Sequence, residues 1–207
     1  MEITELKASV ASFMKRCYDR ALTTATGGNI SVRYGSRMLI TPSGKDKASL
    51  HADDIAEVSL DDGRNLTPTL RLSIESGMHR AIYLSRPDIS AVVHCHPVFS
   101  SLFSASDERI DTALIAESWY LLDEVECVPY ALMGTEDLAL RVSAAASGGS
   151  NAFLLENHGA LALGSDLLSA FDRMECLEQA AKLTYLSRGV GTAGLPPEEK
   201  ARISAMR

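Results

Sequence analysis

Three histidines and one glutamate carry the clearest chemical signal in this sequence. In ISAVVHCHPV, His94 and His96 stand two residues apart in a run rich in β-branched residues that stops at Pro97. Such a run reads as a strand over about 91–96. Alternate side chains of a strand share a face, so the two imidazoles project together, roughly 7 Å apart at the Cβ level, while Cys95 points the other way into packing. A pair spaced like this can share a metal ion, or can simply be hydrogen-bonded at a strand end. His158 offers a third ligand, because it ends the apolar run FLLEN and precedes Gly159, which lets the backbone turn tightly around a site. Three neutral imidazoles with one open position suit a catalytic zinc ion rather than a closed structural one.

Glu75 has two readings. Ser73 can cap a helix from Ile74 to about Leu84, which Arg86, Pro87 and Asp88 end. Glu75 then falls in the first turn, where a carboxylate complements the helix dipole. A carboxylate beside a metal can also leave the ion and act as a base. His79, one turn further along the same face, is placed to pack or to support Glu75 rather than to ligate.

These groups need a scaffold that the rest of the chain supplies. Residues 3–22 carry Leu6, Val10, Phe13, Met14 and Cys17 at helical spacing, giving one buried face. The adjacent glycines of TTATGGN (23–29) stop that helix in a tight loop. NISVR and RMLIT, separated by Tyr34, Gly35 and Ser36, read as a hairpin that ends in the loop TPSG. Further along, a helix begins within 99–106, a strand lies near 125–128, and a helix spans about 135–147. A strand at FLLEN and a long helix from about Asp166 to Ser187 follow. GVGTAGLPPEE reads as a mobile connector, from about 189, to a short charged helix. The order is mixed α/β, and 207 residues suit a single domain over 1–207.

Composition removes several function classes. Hydrophobic residues make up 46% and charged residues 23%, near the globular average. A net charge of −7 and a pI near 5.2 argue against a broad nucleic-acid surface, while leaving room for a local cationic pocket. The first residues, MEITELKASVASFMKR, lack the basic start and unbroken apolar run of a signal peptide, and no window approaches a membrane span. Cys17, Cys95, Cys127 and Cys176 form no CxxC pair, so the expectation is reduced thiols in a cytoplasmic protein.

The sequence resembles the class II aldolase and adducin family over nearly its whole length, nearest the L-fuculose-phosphate aldolase branch. The resemblance rests on TGGNIS (26–31), ITPSG (40–44), LSIE (72–75), RPDISAVVHCHP (86–97), VPY (128–130) and LLENHG (154–159). It implies a three-layer α/β/α domain with a mixed, mostly antiparallel sheet, and a homotetramer with active sites between subunits. It makes His94, His96 and His158 the ligands of one zinc ion per subunit and Glu75 the catalytic acid/base. Gly28 and Asn29, Ser43 and Gly44, and Ser73 fall on its substrate-phosphate loops. Glycine-rich turns, hydroxyl and amide side chains and a helix N-terminus form an anion cradle on physical grounds too.

The implied reaction is reversible aldol cleavage of a ketose 1-phosphate to dihydroxyacetone phosphate and an aldehyde. The same chemistry also serves a pentulose-phosphate 4-epimerase or a sugar-phosphate decarboxylase or dehydratase. An adducin-like interaction domain would keep the fold without catalysis, a reading opposed by the three histidines and Glu75. A Schiff-base aldolase is disfavoured because none of the lysines at 7, 15, 45, 47, 182 and 200 lies in an apolar strand that would depress its pKa. The sequence departs from the family pattern at Ile74, where a second hydroxyl residue is usual. Ile115 stands where an aldolase tyrosine is expected, and no second, C-terminal tyrosine is matched. Trp119, Tyr120 or Tyr130 are the candidates to compensate.

Overall fold

In the computed structural model, which describes residues 2–207, one mixed sheet separates two helical layers. The elements in chain order are α1 (Ile3–Asp19), β1 (Asn29–Tyr34), β2 (Arg37–Ile40), β3 (Ala56–Ser59), α2 (Ser76–Ser85), β4 (Ala91–Cys95), α3 (Val98–Ser104), α4 (Ala116–Leu122), β5 (Glu126–Val128), α5 (Glu136–Ser147), β6 (Ala152–Leu155), β7 (Gly159–Gly164), α6 (Leu167–Leu186) and α7 (Pro197–Ser204). The strands run β3-β2-β1-β4-β7-β6-β5. Every neighbouring pair is antiparallel except β5 and β6.

Alternation along β4 builds both cores. Ala91, Val93 and Cys95 join Val10, Met14, Phe103, Phe171 and Met174 under α1, α3 and α6. Val92 faces the other way, with Met78, Ile82, Leu138 and Val142 of α2 and α5. His94 therefore shares the α2 side of the sheet, two residues beyond Val92. The result is the three-layer α/β/α arrangement expected from the sequence.

Several elements depart from their expected bounds for identifiable reasons. β7, GALALG, consists of residues with weak strand preference, yet it is buried along its length between β4 and β6. Tertiary pairing overrides local propensity there. β3, which pairs with β2, and the short helix α4 were not legible in the local sequence pattern either. By contrast, Asp166 begins α6 as expected, because its Oδ1 accepts the Ser169 N–H at 2.7 Å in a reciprocal capping box.

Helix α2 begins at Ser76 rather than Ile74, and Glu75, not Ser73, occupies its N-cap. Glu75 makes no side-chain cap hydrogen bond, since its carboxylate is engaged elsewhere. At the other end of the chain, residues 190–196 form neither helix nor strand, and the Leu195 N–H donates to Ala113 O at 2.7 Å. Helix α7 lies against α4, where Trp119 Nε1–H reaches Lys200 O at 3.0 Å and Ser204 Oγ at 3.2 Å. Trp119 is thereby committed to holding the C-terminal helix and is not available in the histidine site. No helix among the described residues is long and apolar enough to cross a membrane.

Candidate active site and metal centre

The three histidines converge. One ligand nitrogen from each of His94, His96 and His158 lies within 4.8 Å of the others, although two come from the end of β4 and one from the turn between β6 and β7. His94 is fully buried, and its Nδ1–H donates to Ala160 O at 2.9 Å. A carbonyl can only accept, so the proton sits on Nδ1 and the Nε2 lone pair faces inward. That Nε2 stands 3.1 Å from His96 Nε2. Strand β4 ends at Cys95, and the His96 N–H leaves the sheet ladder for Leu22 O at 3.1 Å. Two glycines permit this crowding. A Cβ on Gly28, whose φ is +63°, would meet His94 O at 2.7 Å, and one on Gly159 would meet His96 Cδ2 at 2.6 Å.

Glu75 faces the same point. Its Oε2 lies 3.2 Å from His94 Nε2 and its Oε1 lies 3.1 Å from His158 Nε2. Asn29 Nδ2–H donates to Glu75 Oε2 at 2.8 Å and to Ser73 Oγ at 3.1 Å. Burial alone would push the Glu75 carboxyl up, but the His94 and His158 imidazoles and the Asn29 amide outweigh it and hold the group well below the usual carboxylate range. For His94, burial works against the charged form while Glu75 favours it, and the net effect is upward. Burial, with His94 and His158 nearby, pushes His96 down to about 4. An ionised carboxylate and three convergent imidazoles thus favour one added positive charge at their centre. The donor set fits a divalent cation: three inward nitrogens, one tautomer fixed by a backbone carbonyl, and a carboxylate within reach.

Of the expected phosphate loops, those of Gly28 and Asn29 and of Ser73 reach this centre. Gly28 packs against the backbone of His94, and Asn29 bridges Ser73 to Glu75. The Ser43 N–H donates to Arg71 O at 3.0 Å, joining the TPSG loop to the segment that leads into Ser73. Gly44, one residue on, has a φ of +72° and stands open, with nothing within 4 Å of a Cβ position. His79 makes no side-chain hydrogen bond to Glu75. Its Nδ1 lies 2.7 Å from Ser31 Oγ, which in turn lies 2.8 Å from Tyr83 OH. Ile115 is exposed at the start of α4, and Tyr120 and Tyr130 are exposed as well.

Three features escaped the sequence pattern. Thr23 Oγ1 is buried in the TTATGGN loop without a partner. The Glu178 carboxylate accepts from the Phe99 and Ser100 N–H groups at 2.9 and 2.8 Å, fixing α3 just beyond His96. The third corrects the lysine expectation: Lys47 is only 1% exposed, and burial lowers its pKa to about 8. In GKDK, a charged stretch that reads as solvated surface, nothing signals that burial. Its Nζ donates to Pro42 O, so it is not an accessible nucleophile.

Residues 8–185 match the family described as Class II Aldolase and Adducin N-terminal domain, and the chain belongs to that family. Within it, the chain is an enzyme of the class II aldolase type, a carbon–carbon lyase. It is 36% identical over 178 residues to the L-fuculose phosphate aldolase of Methanocaldococcus jannaschii, covering 84% of this chain and 94% of that one. The 3-oxo-tetronate 4-phosphate decarboxylase of Haemophilus influenzae is 33% identical over 177 residues, with 83% of each chain covered. The solved structure of YgbL from Escherichia coli superposes with a TM-score of 0.90 at 25% identity, over 98% of this chain and 99% of that one.

Proposed function

We propose that this enzyme catalyses the zinc-dependent, reversible aldol cleavage of a ketose 1-phosphate to dihydroxyacetone phosphate and an aldehyde. His94, His96 and His158 hold the ion, Glu75 moves the proton, and Gly28, Asn29, Ser43, Gly44 and Ser73 receive the phosphate. The observation that carries this reading is the position of Glu75, whose two oxygens lie 3.2 and 3.1 Å from two of the three convergent imidazoles.

Zinc, when bound, supplies Lewis-acid polarisation of substrate carbonyl and hydroxyl oxygens. The protein's own groups do the rest. Glu75, held ionised, is ready to take a proton from the hydroxymethyl carbon of dihydroxyacetone phosphate in the condensation direction and to return it there after cleavage. Asn29 orients that carboxylate while its loop contributes to the phosphate cradle, so proton transfer and substrate position share one side chain. The same reading includes a cytoplasmic homotetramer with sites between subunits. Free thiols at all four cysteines support the first part. Exposed apolar residues, among them Ile74 next to Glu75 in the chain and Tyr130, Leu132 and Met133, support the second.

The decarboxylase among the relatives favours a second reading, in which the same centre polarises a β-keto acid phosphate and releases carbon dioxide. A panel of ketose 1-phosphates, pentulose 5-phosphates and 3-oxo-acid phosphates, with product identification, separates the two. Dihydroxyacetone phosphate as product is expected. Carbon dioxide release, or epimerisation without cleavage, overturns the aldolase assignment. Metal analysis should find about one zinc per chain. His96→Ala should lose it, and retention of full zinc by that variant would refute the ligand set.

A further inference from the structure

We infer that Lys47 supplies the positive charge of a phosphate-monoester subsite built from residues 23–29 and 41–47, with the ligand's phosphate as its missing counter-ion. The inference rests on the phosphate reading of those loops and adds to it a residue that no hydroxyl or glycine pattern reveals.

The geometry is specific. Lys47 is among the largest fully buried side chains of the protein. Its Nζ–H donates to Pro42 O at 2.5 Å, on the residue directly before Ser43. Its backbone N–H donates to Ala25 O at 2.8 Å, within the loop that leads to Gly28 and Asn29. One residue therefore ties the two loops together and places an ammonium behind them. That ammonium has three donors, of which one has a partner among the described residues.

A buried cation normally sits against a carboxylate, because desolvation without a counter-charge is costly. Lys47 has none among the described residues: burial is the only cause acting on its pKa. The charged groups of the two loops are already committed. Residues 23–29 contain no charged side chain. Lys45 is paired with Asp54, and the Asp46 carboxylate accepts from the Ala48 N–H and the Ser49 hydroxyl. The same loop also buries the Thr23 hydroxyl with no acceptor. A cation without an anion and a hydroxyl without an acceptor, in two loops joined by Lys47, are complementary to a phosphate dianion. Lys47 is a positioning residue in this account, acting across the Pro42 peptide, and the bound anion keeps it charged to higher pH.

Reciprocal linkage sets the size of the effect: a ligand that raises the lysine pKa binds the charged protein more tightly by the same factor. Full recovery from about 8 to the ordinary 10.5 would correspond to about a 300-fold gain in affinity at most, and recovery of one pH unit to about tenfold. The probe is glycerol phosphate, titrated calorimetrically into the zinc-loaded protein. Lys47→Met should weaken binding at least about tenfold at pH 7, and Lys47→Arg should recover part of the loss. Wild-type affinity should fall as pH rises above about 8, where the ammonium deprotonates, and Lys47→Met should lack that fall. If Lys47→Met does not fold, the wild type still decides: the ¹³Cε resonance of Lys47 should titrate at least about one pH unit higher with glycerol phosphate bound than without. Failure of the wild type to bind glycerol phosphate at all overturns the phosphate reading itself. Saturable binding that ignores both Lys47→Met and the state of Lys47 overturns only the role of the lysine.

Discussion

Replacing Glu75 by Gln separates a structural carboxylate from a catalytic one. Glutamine keeps the shape of the side chain and one carbonyl oxygen, so the Asn29 Nδ2–H that now reaches Oε2 at 2.8 Å still has an acceptor. The new amide then occupies the position of Oε1, 3.1 Å from His158 Nε2. With that nitrogen bound to a metal, the amide has no acceptor there. A buried donor left unpaired costs about 1–3 kcal/mol of stability. A carboxylate that served only the dipole of α2 would cost at most about 1 kcal/mol and leave turnover intact. As the proton shuttle, Glu75 contributes about 10²–10⁴-fold, equivalent to about 2.7–5.4 kcal/mol of barrier. The assay is hydrogen exchange at the hydroxymethyl carbon of dihydroxyacetone phosphate without any aldehyde, which isolates the proton step from carbon–carbon bond formation. Zinc content and thermal unfolding are measured on the same samples. The expected result is a zinc-loaded, folded variant that exchanges at least about a hundredfold more slowly. A zinc-loaded Glu75→Gln protein that exchanges at the wild-type rate would remove Glu75 from the mechanism.

Other perturbations test the supporting structure. Gly159→Ala places a Cβ 2.6 Å from His96 Cδ2 and 2.7 Å from Cys95 O, so it should displace His96, cost about 1–3 kcal/mol of stability and weaken zinc retention in a chelator competition. Asn29→Leu should raise KM for a phosphorylated ketose far more than for its unphosphorylated analogue, and an equal effect on both would sink the cradle assignment. His79 is buried and neutral, with its pKa pushed down to about 3 by burial first and His94 second, while the Glu75 charge works the other way. Between that value and the ordinary 6.5 the unfolded chain binds more protons at this residue than the folded one. The His79 contribution is therefore complete above pH 6.5 and is lost as pH falls toward 3, by up to about 1.4 kcal/mol per pH unit, a slope that His79→Leu should remove in denaturant titrations. Trp119→Phe deletes the donor to Lys200 O and Ser204 Oγ, and should expose α7 to trypsin at Lys200 and Arg202 several times faster than in the wild type, with little change in zinc content.

The sequence by itself determined the elements whose periodicity or caps are local. The apolar stripe of α1, the β-branched run of β4, the Asp166 cap of α6 and the hairpin at Gly35 follow from side-chain spacing and turn chemistry over a few residues. It also singled out His94, His96, His158 and Glu75, because an HxH pair on a strand and a carboxylate at a helix start carry chemical meaning before any fold is known. Only the tertiary structure decided what depends on distant partners. β7 is a strand because β4 and β6 flank it, in spite of its glycines and alanines. Helix α2 starts two residues late because the Glu75 carboxylate turns toward imidazoles and an amide from three other segments instead of capping the helix. Lys47 looks like surface charge in GKDK and becomes a buried cation only when the loops around Ala25 and Pro42 close over it. Burial and charge compensation are sums over neighbours brought together by the fold, and no local window of sequence contains them.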